Sequence, residues 1–254
     1  MKIEDTIWKE NAIIQPYQAD FRGHWKPSSF LRAMQTAASH SAESLGFGYH
    51  NMLESGMAWV LSRLKIRFHA FPLIDDTVTI KTWPKKVERK IWFIRDFEMF
   101  AADGRPLAAA TSTWLLIDVN NTRLMTEKNL PFTMPDNSNR DALAELPQKI
   151  SLEANLQTQF SIIARYSDID IMGHVNNARY ADWVTDCFPI AMYRQKRLQS
   201  LQINFVKEVK PGDGISISMG EGNRHPGLWA INGDNLTNGE KAFEAAVLWS
   251  NSIA

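Results

Sequence analysis

The sequence predicts an α+β chain made of two tandem copies of one unit, a helix followed by antiparallel strands. Three observations carry this. The pattern Asp-x-x-Gly-His occurs twice, as Asp20-Phe21-Arg22-Gly23-His24 and Asp170-Ile171-Met172-Gly173-His174, each time just ahead of a helical pattern. Strand-like segments then match in the same order: Leu64-Lys65-Ile66-Arg67-Phe68 with Leu201-Gln202-Ile203-Asn204-Phe205, Asp76-Thr77-Val78-Thr79-Ile80 with Asp213-Gly214-Ile215-Ser216-Ile217, and 110–114 with 245–249. A run of matches in register is harder to obtain by chance than any single one. A stretch rich in Pro and Asn, including Pro131, Pro135, Asn137, Asn139 and Pro147, separates the copies and reads as a linker.

In the first copy, residues 27–45 have helical spacing. Phe30, Leu31, Met34, Ala37, Ala38, Ala42 and Leu45 share one stripe, with Arg32, Gln35, Ser39 and Glu43 opposite. Pro27 suits a first turn and Gly46 a stop. Strand patterns follow at 57–71, 77–83, 90–100 and 107–118, and Asp103-Gly104 signals a hairpin. The second copy reads as a strand at 159–166 and a helix at 177–193 that Pro189 bends or ends. Strands are then expected at 198–208, 215–219, 228–232 and 242–251, with Asn232-Gly233 and Asn238-Gly239 as turns. The expected organisation is a first repeat at 1–125, a linker at 126–156 and a second repeat at 157–254.

Composition narrows the function classes. The 254 residues hold 28 Lys plus Arg and 28 Asp plus Glu, so the formal charge is zero, which argues against wholesale nucleic-acid binding. One cysteine excludes an intramolecular disulfide, and no Cys/His spacing suits zinc. Cys187 shares a helical stripe with Tyr180, Ala181, Val184 and Phe188 and is expected to be buried packing. The start of the chain carries Lys2, Glu4, Asp5, Lys9 and Glu10 with no apolar core of a signal peptide. No apolar run approaches the ~18 residues of a membrane helix. The expectation is a cytoplasmic protein without metal or cofactor.

The stretch from Ser167 to Tyr180 carries the chemistry. It sets Asp168, Asp170, Gly173, His174, Asn176 and Asn177 directly ahead of a helix. Such a segment aims an acid/base pair and main-chain N–H groups at one point, as hydrolysis of an activated acyl group requires. Gly173 lets the backbone approach closely. Asp168 and Asn176 fit a turn or cap role as well as they fit a part in the chemistry.

The segment Asp-x-Asp-x-x-Gly-His-Val-Asn-Asn-x-x-Tyr resembles that of acyl-acyl-carrier-protein (acyl-ACP) thioesterases, which contain two fused hotdog domains. In the first copy, Gly56-Met57-Ala58-Trp59-Val60-Leu61-Ser62-Arg63, Lys81-Thr82-Trp83 and Ala110-Thr111-Ser112-Thr113-Trp114 resemble the N-terminal repeat of the same enzymes. The similarity runs from about residue 10 to 250. It implies a double hotdog fold, with acyl-chain binding in the first repeat and catalysis in the second. It also implies that the family's acid falls on Asp170, its histidine on His174 and its glutamate on Glu208, in the strand after the second helix. Two departures stand out. Met172 occupies a position where the family often has asparagine, so any amide role there moves to Asn176, Asn177 or water. Val209 stands where plant members have cysteine, which rules out a thiol nucleophile at that place.

By this resemblance the chain releases free fatty acid from acyl-ACP and so ends chain elongation in fatty acid biosynthesis. Asp170 is then nucleophile or general base, with His174, Glu208, Asn176 and Gly173 around it. The acyl chain is expected along Phe30, Met34, Ala38 and Trp59, residues that fit ordinary core packing equally well. An acidic carrier protein implies a basic docking surface, for which Lys81, Lys85, Lys86, Arg89 and Lys90 form one cluster and Arg194, Lys196 and Arg197 another. An acyl-CoA thioesterase of the same fold and a non-catalytic acyl-thioester binding protein are the alternatives. Monomer and homodimer are both compatible with two units in one chain.

Overall fold

The structure, a computed structural model, describes residues 6–250. Lys2, Glu4 and Asp5, and Asn251 at the end of the last expected strand, lie outside the described residues. The chain forms two compact units, Met1–Pro147 and Gln148–Ala254. The fold class is α+β, as expected. In each unit an antiparallel sheet wraps one main helix, the arrangement the word hotdog describes.

The first unit contains β1 (Trp8–Ile13), α1 (Pro27–Ser44), α2 (Tyr49–Glu54), β2 (Met57–Phe68), β3 (Thr77–Glu88), β4 (Trp92–Ala101), β5 (Pro106–Asp118) and β6 (Leu124–Met125). Its strands follow the order β1-β3-β4-β5-β2, with β6 on β5. The second contains β7 (Gln157–Ile163), α3 (Asn177–Asp186), α4 (Ile190–Gln195), β8 (Arg197–Phe205), β9 (Gly214–Glu221), β10 (Leu228–Asn235) and β11 (Lys241–Ser250). Its order, β7-β9-β10-β11-β8, traces the same path. The register repeats as well: Ile66 pairs with Ala110 and Ile203 with Ala245, the residues that match between the copies.

Helix α1 begins at Pro27 and buries Phe30, Leu31, Met34, Ala37 and Ala38 against the sheet, the stripe its spacing predicts. Ser41 continues the stripe as a polar contact. Its hydroxyl meets the buried Arg95 guanidinium at 3.0 Å, and Thr82 meets the same group at 3.2 Å. Among the described residues no carboxylate shares this bond, and burial lowers the Arg95 pKa to about 10. In the second unit Pro189 ends the helical run and caps a separate short helix, α4. Cys187 is buried at the end of α3, and burial pushes its thiol up to about 12.

Three expectations need correction. Asn232-Gly233 is not a turn but lies inside β10, at a bulge opposite β11. Gly233 is needed there because a Cβ would overlap the Phe243 ring. Asn238-Gly239 is the turn, with Gly239 at φ +75°. Lys85 is not part of a solvated basic face. It is buried, with its ammonium 3.1 Å from Asp96 and 2.5 Å from Asp141. Burial alone would lower its pKa, but the two carboxylates outweigh that and raise it. Finally, β8 ends at Phe205, so Glu208 stands in the loop beyond the strand.

Residues 130–142 are fastened to the first unit. Leu130, Phe132 and Met134 pack on a cluster of Phe47, Met52, Met57, Phe93 and Leu116. The buried Asn137 side chain donates to Pro84 O at 2.6 Å, and the Ala142 N–H donates to Asp96 at 2.9 Å. Among the described residues no helix is long and apolar enough to cross a membrane.

Candidate active site

A one-turn 3-10 helix, Tyr166–Asp168, leads into the second Asp-x-x-Gly-His turn. Asp168 is buried and fully engaged. It accepts the Arg165 N–H at 2.9 Å and Arg179 Nε at 2.7 Å, and its carbonyl accepts the Asn176 N–H at 2.8 Å. This carboxylate therefore holds the frame of the turn.

The turn itself closes through the Gly173 N–H to Asp170 O at 2.9 Å and the Asp170 N–H to His174 O at 2.8 Å. Gly173 sits at φ +79°, where a side chain would be strained. A Cβ there would meet no atom within 4 Å, so backbone conformation, not space, calls for glycine. One Asp170 oxygen, Oδ1, accepts the Met172 N–H at 2.9 Å. The other, Oδ2, has no hydrogen-bond partner among the described residues. Met172 thus serves the aspartate through its main chain, while its side chain is exposed.

His174 Nε2 lies 3.9 Å from Glu208 Oε1, close for opposite charges but longer than a direct hydrogen bond. Lys210 Nζ approaches the same oxygen at 3.5 Å. A main-chain bond one residue further along on each side, from the Val175 N–H to Val209 O at 2.9 Å, pins the two loops together. Val209 is fully buried, and Glu208 beside it remains exposed.

Helix α3 starts immediately afterwards. Asn176 caps it, its side-chain oxygen accepting the Ala178 N–H at 2.9 Å. The Asn177 N–H has no acceptor among the described residues. It is a first-turn donor at the positive end of the helix, pointed out from the segment that carries Asp170 and His174. Asp170, Gly173, His174, Asn176 and Glu208 are therefore gathered in one loop cluster, with Asn176 committed to capping. The sequence reading expects free N–H groups at this helix start without assigning one to Asn177, which the start of α3 at Asn177 now does. It also gave no role to Tyr180, which is buried one turn into α3.

Of the residues expected along the acyl chain, Phe30, Met34 and Ala38 lie buried on one stripe of α1. Phe30 packs among Trp25, Phe68 and Phe71 at ring distances of 4.4, 5.2 and 5.7 Å. Trp59 stands apart from them, beside Phe93 at 4.8 Å and donating to Phe47 O at 3.2 Å. It packs against the same buried cluster as Ala42 and Leu45, near the far end of the helix. The fifteen helical steps from Phe30 to the C-cap Leu45 span roughly 22 Å. Among the described residues no cluster of three or more His, Cys, Asp or Glu could hold a metal ion.

Comparison with known proteins follows this division. The model of the acyl-ACP thioesterase N-terminal domain matches residues 5–128, and that of the C-terminal domain matches residues 151–251. The chain is 25% identical over 221 residues to a chloroplastic palmitoyl-acyl carrier protein thioesterase of Arabidopsis thaliana, covering 81% of this chain and 53% of that one. It is also 25% identical over 238 residues to a chloroplastic oleoyl-acyl carrier protein thioesterase of Coriandrum sativum, covering 84% and 62%. The chain thus spans about half to three fifths of the length of these relatives. The crystal structure of an acyl-ACP thioesterase from Bacteroides thetaiotaomicron superposes with a TM-score of 0.88 at 27% identity, over 98% of this chain and 100% of that one.

Proposed function

The chain belongs to the acyl-ACP thioesterase family, and on that premise we propose that it hydrolyses the thioester between a fatty acyl chain and acyl carrier protein. The products are the free fatty acid and the carrier thiol, so the reaction ends chain elongation in fatty acid biosynthesis. One observation carries the reading: Asp170 Oδ2, a carboxylate oxygen with no partner among the described residues, stands on the same short segment as a helix-start donor likewise without one, the Asn177 N–H.

The chemistry follows from those two groups. Asp170 takes a proton from water as the water oxygen bonds to the thioester carbon. The negative charge that develops on the carbonyl oxygen is met by the Asn177 N–H and the helix start behind it; a single donor of this kind is worth ~3–4 kcal/mol in other enzymes. Collapse of the tetrahedral adduct breaks the carbon–sulfur bond, and the proton held by Asp170 goes to the departing sulfur. His174 and Glu208 orient the water and the aspartate. Gly173 supplies the turn, and Asn176 the cap that aims the donor. Acyl-chain binding is assigned to the first repeat, along Phe30, Met34, Ala38 and Trp59. No cofactor enters these steps.

The carrier protein is the partner in this reading, and the enzyme acts as a monomer or homodimer in the cytoplasm. With Lys85 buried, the first basic cluster still exposes Arg89 and Lys90 and the second exposes Arg194, so both remain candidates for docking the carrier.

The test is fatty-acid release from a panel of C8 to C18 acyl-ACPs and the matching acyl-CoAs, by wild type and Asp170→Ala. Release from carrier-bound substrates that collapses in the variant is the expected result. Equal or better release from the CoA esters would replace the carrier with CoA. Undiminished release by Asp170→Ala would remove that residue from the mechanism.

A further inference from the structure

Arg95 lies on β4 with its guanidinium turned toward α1, where Nη1 donates to Ser41 Oγ at 3.0 Å and to Thr82 Oγ1 at 3.2 Å. Its other two nitrogens, Nε and Nη2, have no acceptor among the described residues. Neither is sealed off by protein, and Arg95 keeps 7% of its surface open. With its pKa at about 10 the group stays charged at neutral pH. A buried cation with donors unspent and no carboxylate beside it is costly.

Packing does not require it. Arg95 pairs with Ser112 as Trp229 pairs with Val247, and Thr82 pairs with Phe97 as Met219 pairs with Ile231. The second repeat therefore fills the matching places with apolar side chains. The arginine and its hydroxyl partners belong to the first repeat, the one assigned to the acyl chain.

Arg95 also stands at a particular point on that path. Ser41 follows Ala38 by one turn on the stripe of Phe30, Met34 and Ala38. Phe93, two residues before Arg95 and on the same face of β4, packs on Trp59 at 4.8 Å. The guanidinium thus lies between Ala38 and Trp59, where the apolar stripe is broken. A methyl end pressed onto the open donors would close them off without an acceptor. That costs more than burying one further methylene gains.

We propose that Arg95 is a chain-length residue: its guanidinium, held by Ser41 and Thr82, ends the apolar path after Ala38 and keeps longer acyl chains from reaching Trp59. The proposal rests on the acyl path of the hydrolase reading and narrows it, since the preferred chain then ends short of Trp59.

The test is Arg95→Met and Arg95→Lys on C8 to C18 chains, read as release from acyl-ACP and as calorimetric binding of the free fatty acids. Wild type should show a length above which kcat/KM and affinity fall. In Arg95→Met the ratio of the first refused length to the preferred length should rise about tenfold, the worth of burying two methylenes. Arg95→Lys keeps the charge and should keep the wild-type ratio. A second arm uses wild type alone, in case Arg95→Met does not fold. The first refused chain, its terminal methyl replaced by hydroxyl, should gain about tenfold because the open donors then meet an acceptor. Four results overturn the proposal: no length limit in wild type, an unmoved ratio in folded Arg95→Met, an equal rise in Arg95→Lys, or no gain from the hydroxyl. Binding needs no turnover, so the two ideas separate. A wild type that binds fatty acids up to a limit but releases none overturns the hydrolase reading alone.

Discussion

The turns at Asp20–His24 and Asp170–His174 are built alike. In each the aspartate N–H reaches the histidine carbonyl at 2.8 Å, the glycine N–H reaches the aspartate carbonyl at 2.9 Å, and the glycine sits at φ +79°. The next residue of each is tied across at 2.9 Å, Trp25 to Pro72 and Val175 to Val209. The side chains differ. In the first repeat Arg22 grips Asp20 Oδ2 through Nε at 3.0 Å and Nη2 at 2.8 Å, where the second has Met172 and a free oxygen. Pro27 stands at the helix start where the second has Asn177, so the N–H is missing there. Phe71 stacks on His24 where the second places Glu208. Backbone geometry therefore makes the turn, and these few side chains set the two turns apart chemically.

The largest break in this contrast should come from Asp170→Asn, which removes the proposed proton acceptor and should lower kcat about 10²–10⁴-fold. Asp20→Asn in the other turn should leave kcat within twofold. Steady-state kinetics on one acyl-ACP decide it, and a comparable loss from both would mean that the first turn is not idle.

Next comes Asn177→Pro, which copies Pro27 into the second repeat. Proline is tolerated at a first helical position, so α3 should persist by circular dichroism. The loss of one donor should cost kcat about 10²–10³-fold. A folded variant with wild-type kcat would remove the Asn177 N–H from the oxyanion role.

Met172→Arg should move the active turn toward the idle one by pairing Asp170. We expect a fall in kcat/KM of about tenfold that shrinks as salt is raised. Salt-independent loss would indicate a steric effect instead.

The smallest effect concerns stability. Burial first, and Arg22 second, hold the His24 imidazole below its usual 6.5, against the pull of Asp20. The unfolded chain then takes up this proton at a higher pH than the folded one, so stability is lost as pH falls below about 6.5. His24→Gln should lose less melting temperature than wild type between pH 7 and pH 5. An identical loss would assign the acid sensitivity to other groups.

How far the sequence could be read follows from where each signal resides. Helix α1 was legible because its apolar residues recur at helical spacing, and strands β2 to β5 because aromatic and aliphatic runs stand between turn signals. Strand β1 was not, because its half-buried face is Trp8, Glu10 and Ala12 while Ile13 is exposed, so hydrophobicity does not alternate. Six-residue helices such as α2 leave too short a pattern to detect. Lys85 looked solvated because it sits in a basic run, and its partners Asp96 and Asp141 are remote in sequence. Asp170, Gly173, His174 and Asn176 could be named in advance because they are contiguous. Glu208 needed the resemblance to a family, since only the fold brings it to 3.9 Å from His174. Free N–H groups at the start of α3 were expected, but which residue supplies one depends on the exact first helical residue, Asn177, and no side chain marks that place. A signal did exist in the comparison of copies, where Pro27 holds the matching place.

The fastening of residues 130–142 has a consequence for anyone wishing to divide the protein. A cut after β6 would peel away Asn137, Asp141 and Ala142 and open the Lys85–Asp96 pair to water, leaving a fragment with a charged wound in its outer face. A cut between Pro147 and Gln148 keeps that closure intact. The repeat is therefore transplanted whole only with its trailing segment attached, as a jar travels with its lid.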